Sequence, residues 1–138
     1  MNFPLDARLA ADSHPIGDLT LSQLRLMDDA RFPWLVLVPR IAGARELVDL
    51  DAGDRCCLLD EITLVGRVLE SLLQPDKLNI AALGNVVAQL HVHVIARYAG
   101  DAAWPQPVWG HGEAVPYTAA TREALLARLR EALAAQLH

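Results

Sequence analysis

Only two cysteines occur in the 138-residue chain, and they are neighbours, Cys56 and Cys57. Adjacent cysteines cannot staple distant segments and lack metal-site spacing, which excludes a disulfide framework or a cysteine zinc site. They read as small residues of a helix. Basic charge is also scarce: 12 Lys and Arg against 17 Asp and Glu leave a net charge of −5. A nucleic-acid binder needs a basic face, so that class is excluded, while a small anionic ligand held by a few donors is not. No apolar run approaches the roughly 20 residues that span a bilayer. The start, Met1-Asn2-Phe3-Pro4-Leu5-Asp6, has neither the basic nor the apolar region of a secretory signal. Repeats, low-complexity tracts and dividing linkers are missing too. These absences lead us to expect a reduced, soluble, cytoplasmic protein without a membrane partner.

What is present is a globular composition, 53% hydrophobic and 21% charged. A chain of this length suits a single domain, residues 1–138, that buries about two-thirds of its unfolded surface. Residues 1–33 read as short elements broken by Pro4, Pro15, Gly17 and Pro33. Trp34 to Val38 reads as a buried strand between two prolines. From about Asp54 to Leu73 the apolar residues Leu58, Ile62, Val65, Leu69 and Leu72 recur at helical spacing. Asp51 or Asp54 can cap that helix, and Gln74-Pro75-Asp76 stops it. A second strand is expected over Lys77–Leu83, a turn at Gly84-Asn85, and a third strand over Val86–Arg97. Residues 98–117 are irregular. A last helix, about 118–137, is capped by Thr118 or Thr121 and shows Leu126, Leu129, Leu133 and Leu137 on one face. The pattern favours an α+β layout, an antiparallel sheet with helices on one side.

The chemistry concentrates in Gln89-Leu90-His91-Val92-His93-Val94-Ile95, where polar and apolar residues alternate. Alternation on a strand puts Gln89, His91 and His93 on one face, with the imidazoles roughly 6.6 Å apart along the chain. A one-residue slip would bury both histidines, so the apolar face sets the register. Imidazoles titrate near neutrality and act as nucleophiles, hydrogen-bond donors or metal ligands. Taken alone, these seven residues stay open to three readings: phosphoryl catalysis, two ligands of a zinc site, or a solvated face without function.

The wider block Lys77–Arg97 resembles the signature of the histidine triad (HIT) superfamily. There a strand and a glycine-containing loop lead into alternating histidines. Trp104-Pro105 is similar to the tryptophan-proline that follows the triad in several branches. Leu26-Met27-Asp28-Asp29, ahead of Val38-Pro39-Arg40, resembles the family's ribose-contacting segment. The resemblance covers about 25–109. Phe3-Pro4-Leu5-Asp6 and Pro107-Val108-Trp109-Gly110 resemble a bacterial HIT subgroup. It implies a five-stranded antiparallel sheet with two helices, a homodimer, no cofactor, no protein-bound metal, and a purine nucleoside phosphate as ligand. The activity implied is hydrolysis or nucleotidyl transfer at the α-phosphate. By position, His91 corresponds to the nucleophile and His93 to the histidine that contacts phosphate oxygens. Asn79 corresponds to a phosphate-side asparagine, Gly84, Asn85 and Val86 to a loop offering N–H groups to the phosphate, and Asp28 to the ribose contact.

Two departures stand out. The first triad position is Gln89, which cannot carry a proton at neutral pH. The loop position that is serine in some members is Val86. The same resemblance thus allows a nucleotide-binding protein with little turnover, and a His-x-His metal site is a third class. Elsewhere, His14 reads as a loop residue at the surface and His138 as a frayed end. His111 follows the Trp-Pro segment and could assist a leaving group. Trp104 and Trp109 read as core, interface or base-stacking residues. Arg97 pairs with Asp101 or meets a distal phosphate, and Lys77 lies on a solvated edge.

Overall fold

A computed structural model describes residues 3–138. Its elements, in chain order, are α1 (Ala7–Asp12), β1 (Ser13–Asp18), β2 (Ser22–Met27), β3 (Trp34–Pro39), α2 (Ala52–Leu73), β4 (Lys77–Ala81), β5 (Val92–Arg97) and α3 (Ala119–Ala132). The strands form one antiparallel sheet in the order β1-β2-β3-β5-β4. This is the expected α+β class, with two long helices and the short α1. No helix is long and apolar enough to cross a membrane.

Period-two alternation divides the sheet into two faces. Leu24, Leu26, Leu35, Leu37 and Val94 meet Val65 and Leu69 of α2 and Leu126, Leu129 and Leu133 around α3 in the main core. On the other face Trp34, Val36, Val38 and Ile95 pack against Leu9 of α1, Val87, and Ala103 and Val108 of the irregular segment. Both central strands, β3 and β5, are therefore fully buried. The helix caps are those the sequence offers: Asp51 accepts from the Asp54 N–H, and Thr118 from the Thr121 N–H. Glu61 breaks the apolar stripe of α2 yet is buried. Its carboxylate accepts from the Leu21 N–H at 2.8 Å and the Ser22 N–H at 3.0 Å, closing the β1–β2 turn.

Four elements differ from the sequence reading. α3 ends at Ala132 rather than about 137, with Leu133 as its C-cap. Residues 13–27 form a hairpin rather than scattered short pieces. Pro15 and Gly17 hide it, but β1 is an edge strand whose register shifts between them, where neither residue breaks a ladder. β4 ends at Ala81, two residues short of Leu83. The third strand begins at Val92 rather than Val86: Gly84 turns the chain at φ +74°, and Leu90 donates its N–H to Ala44 rather than to a strand. Gln89 and His91 thus stand in a loop entering β5, and only His93 lies within the sheet. His14, read as a loop residue, lies half-buried in β1.

Candidate active site

Cross-strand pairing sets His93 opposite Val36 of β3 and Ala81 of β4. The His91 ring approaches it edge to face, with centroids 4.9 Å apart. The alternation thus did bring the two imidazoles together, but it misjudged their surroundings. The histidine face, expected to lie open, is walled in: His91 is 7% exposed and His93 4%. Trp34 and Trp109 contact the His93 ring edge to face at 5.6 and 5.0 Å.

Each imidazole has one nitrogen committed, and the partners decide the tautomers. Nδ1 of His91 lies 2.7 Å from the Gln89 carbonyl oxygen. A carbonyl only accepts, so this nitrogen carries the hydrogen and Nε2 holds a free lone pair. Nδ1 of His93 lies 2.8 Å from the Trp34 indole nitrogen, a pure donor. Here Nδ1 is the acceptor and the ring hydrogen sits on Nε2. Two chemically identical side chains therefore present opposite functions, a nucleophilic nitrogen and an N–H donor. Burial, and secondarily the neighbouring His91, pushes the His93 pKa down from 6.5 to about 3, so His93 is neutral near pH 7.

The histidines open into a cavity of about 600 Å³ lined by Met27 and Trp34 of the sheet, the loop residues Gly84, Asn85, Val86 and Val87, and Trp109. Met27, Trp34 and Trp109 also line an adjoining hollow of about 440 Å³, which contains Asp28, Asp29 and Arg31. Asp28 accepts from the Tyr117 N–H at 2.9 Å, and Nε2 of His14 stands 3.5 Å from its other oxygen. Burial alone would raise the Asp29 pKa. The Arg31 guanidinium and the Arg31 and Val115 N–H groups outweigh it and hold the carboxyl below its ordinary value.

Of the residues singled out in the sequence, His91, His93, Gly84, Asn85 and Val86 meet at one cavity and Asp28 lies next to it. Asn79 does not line it; its oxygen accepts from Arg97 Nη1 at 2.8 Å. The Gln89 side chain turns away to Pro4 and Asp6. Arg97 is 1% exposed and pairs with Asp101 at 2.7 Å, so it holds the β5 end rather than reaching a ligand. His111 is exposed, and its carbonyl accepts from Arg31. The sequence reading missed Trp34 as the partner of His93, and Arg8 and Asp12 as lining residues. No local pattern announces a contact between positions 59 residues apart. Among the described residues no three His, Cys, Asp or Glu side chains stand close enough to hold a metal ion.

An antiparallel α+β fold thus sets two imidazoles of opposite tautomer beside a glycine-bearing loop. The HIT domain family matches residues 8–100, and this chain belongs to it. It is similar to a histidine triad protein of Sinorhizobium meliloti 1021, with 48% identity over 96% of this chain and 98% of that one, TM-score 0.93. A histidine triad protein of Bradyrhizobium japonicum gives 47% identity over 95% and 98%, TM-score 0.92. One of Marinobacter aquaeolei VT8 gives 44% over 97% and 98%, TM-score 0.94. A hypothetical histidine triad nucleotide-binding protein of Sulfolobus tokodaii strain7, 16% identical with a TM-score of 0.68, shares the fold alone. No curated protein matches the chain.

Proposed function

We propose that this HIT-family protein binds a purine nucleoside phosphate and acts at its α-phosphorus as a hydrolase or nucleotidyl transferase, with His91 as nucleophile. The observation that carries this reading is the pair of opposite tautomers. The free Nε2 lone pair of His91 attacks phosphorus, and the bond to the leaving group breaks with its electrons departing on that group. The ring gains positive charge as the N–P bond forms, and the Gln89 carbonyl, accepting from Nδ1–H, stabilises it. His93 donates its Nε2–H to a phosphate oxygen, a steady hydrogen bond because the ring is held neutral. Backbone N–H groups of Gly84, Asn85 and Val86 form the anion cradle, and Asp28 holds the ribose hydroxyls from the adjoining hollow. Water or another acceptor then displaces the nucleotide from His91.

Asn79 acts in this reading through Arg97, which it holds, rather than on phosphate directly. A homodimer is part of the proposal, supported by the β4 edge, where Ile80 and nearby Leu83 are exposed. One observation favours a slower protein of the same kind, a nucleotide binder with little turnover. The Gln89 amide is engaged elsewhere and has no proton to give. The test is enzyme quenched during turnover of an adenosine phosphoramidate and analysed by mass spectrometry. An acid-labile nucleotidyl adduct on His91, with His91→Ala inactive but still binding AMP, is expected. Hydrolysis by His91→Ala as fast as by the parent would refute the nucleophile.

A further inference from the structure

Position 89 carries histidine in the resembling signature, yet the Gln89 side chain is not among the residues lining the cavity. Its carboxamide lies against the N-terminal segment. Nε2 donates to the Pro4 carbonyl at 2.9 Å, and Oε1 accepts from the Asp6 N–H at 2.8 Å. These groups flank a single residue, Leu5, as in the pairing that a neighbouring strand would offer, so the side chain acts as a substitute peptide group. An imidazole cannot do this. Its two nitrogens point apart on the ring, whereas the carboxamide presents donor and acceptor side by side.

The tether continues from Asp6 into α1. The Asp6 carboxylate caps that helix by accepting from the Arg8 N–H at 2.8 Å. One turn on, Leu9 is buried in the cluster that contains Trp34, Val36 and Val87. Arg8, Leu9 and Asp12 then line the same cavity as His91 and His93. Arg8 is the sole Lys or Arg among those lining residues, and its guanidinium has no hydrogen-bond or ion-pair partner among the described residues. An unpaired cation on the wall of a phosphate cavity suits negative charge beyond the α-phosphorus.

We propose that Gln89 is a positioning residue: it fastens the N-terminal segment so that Arg8 stands on the cavity wall and pairs with an anionic group attached to the α-phosphate. This rests on the nucleotide reading above and adds a preference to it. With the Gln89 amide turned to the N-terminal segment and the His93 ring neutral, neither is a strong acid for a departing amine, so a phosphoramidate turns over slowly. A phosphate or carboxylate departs with the bond's electron pair as a stable anion and needs no proton, and Arg8 balances its charge.

The test compares ADP with AMP by calorimetry for the parent, Arg8→Ala, Gln89→Ala, Gln89→His and the double variant Arg8→Ala/Gln89→Ala. The parent should bind ADP about tenfold more tightly than AMP, as one charge-assisted contact implies. Each single variant should lose that preference, and the double should lose no more than either single. Hydrogen exchange over residues 5–9 should accelerate in both Gln89 variants and stay unchanged in Arg8→Ala. An ADP preference that survives in Gln89→Ala, or additive effects in the double, would overturn the proposal. Absence of any nucleotide binding would overturn it as well. A missing His91 adduct alongside an ADP preference that depends on both Arg8 and Gln89 would instead refute the nucleophile and uphold the role of Gln89.

Discussion

Because His93 is buried as a neutral ring, moderate acid should destabilise the protein through that one residue. In the unfolded chain a histidine takes up its proton near pH 6.5, whereas the folded His93 does so only near pH 3. Between those values the unfolded state binds one more proton than the native state, so falling pH favours unfolding. The stability tied to the neutral ring is whole above pH 6.5 and is lost progressively below it. At about 1.4 kcal/mol per pH unit, lowering the pH from 6.5 to 5 should cost about 2 kcal/mol from His93 alone. For a domain of this size that is a fall of roughly 5–8 °C in Tm. The window is chosen to avoid carboxylates. Hydrogen bonds from the Arg97 guanidinium and from the Tyr98, Ala103 and Trp104 N–H groups hold Asp101 well below its usual range, and Asp29 is lowered too, so their effects fall mostly below pH 5. The assay is urea unfolding at half-unit pH steps from 7.5 to 5 for the parent and His93→Asn. Asparagine keeps an oxygen to accept from the Trp34 indole but cannot titrate. The parent should lose about 2 kcal/mol more than the variant across the window. Equal losses in the two proteins would refute the assignment of a buried, neutral His93.

Three other outcomes follow from the same contacts. Asp101→Ala removes the ion-pair partner of the buried Arg97 guanidinium and should cost about 3–5 kcal/mol in denaturant unfolding. A loss under 1 kcal/mol, on the order of an exposed ion pair, would show that Arg97 finds water or another acceptor. Glu61→Ala strands the N–H groups of Leu21 and Ser22 beneath α2; it should cost about 1–3 kcal/mol and speed exchange at those two amides specifically. Light scattering at micromolar concentration should give twice the 15.1 kDa chain mass, and a monomer value throughout would remove the homodimer.

Local patterns carried much of this molecule. The apolar stripe of Leu58, Val65 and Leu69 suffices for α2, and that of Leu126, Leu129 and Leu133 for α3, because a helical face is written within a few turns. Alternation at 91–95 likewise anticipates that His91 and His93 lie together, although His91 stands one residue ahead of the strand. The same alternation carried Gln89 onto their face, and there it failed. Where a strand begins depends on which neighbour its backbone can pair with, and here it coincides with the end of β4, whose Ala81 pairs with His93. The β1–β2 hairpin was hidden for a related reason, since Pro15 and Gly17 look like breakers until β1 is known to be an edge. Tertiary structure alone decided the chemistry of the imidazoles. A ring's tautomer follows from its hydrogen-bond partner, and its pKa from the groups that exclude water from it. For His93 the partner is Trp34, and the wall is completed by Trp109, neither adjacent in sequence. Sequence by itself determined that two histidines would lie close together; only the folded chain determined which would offer a lone pair and which a proton.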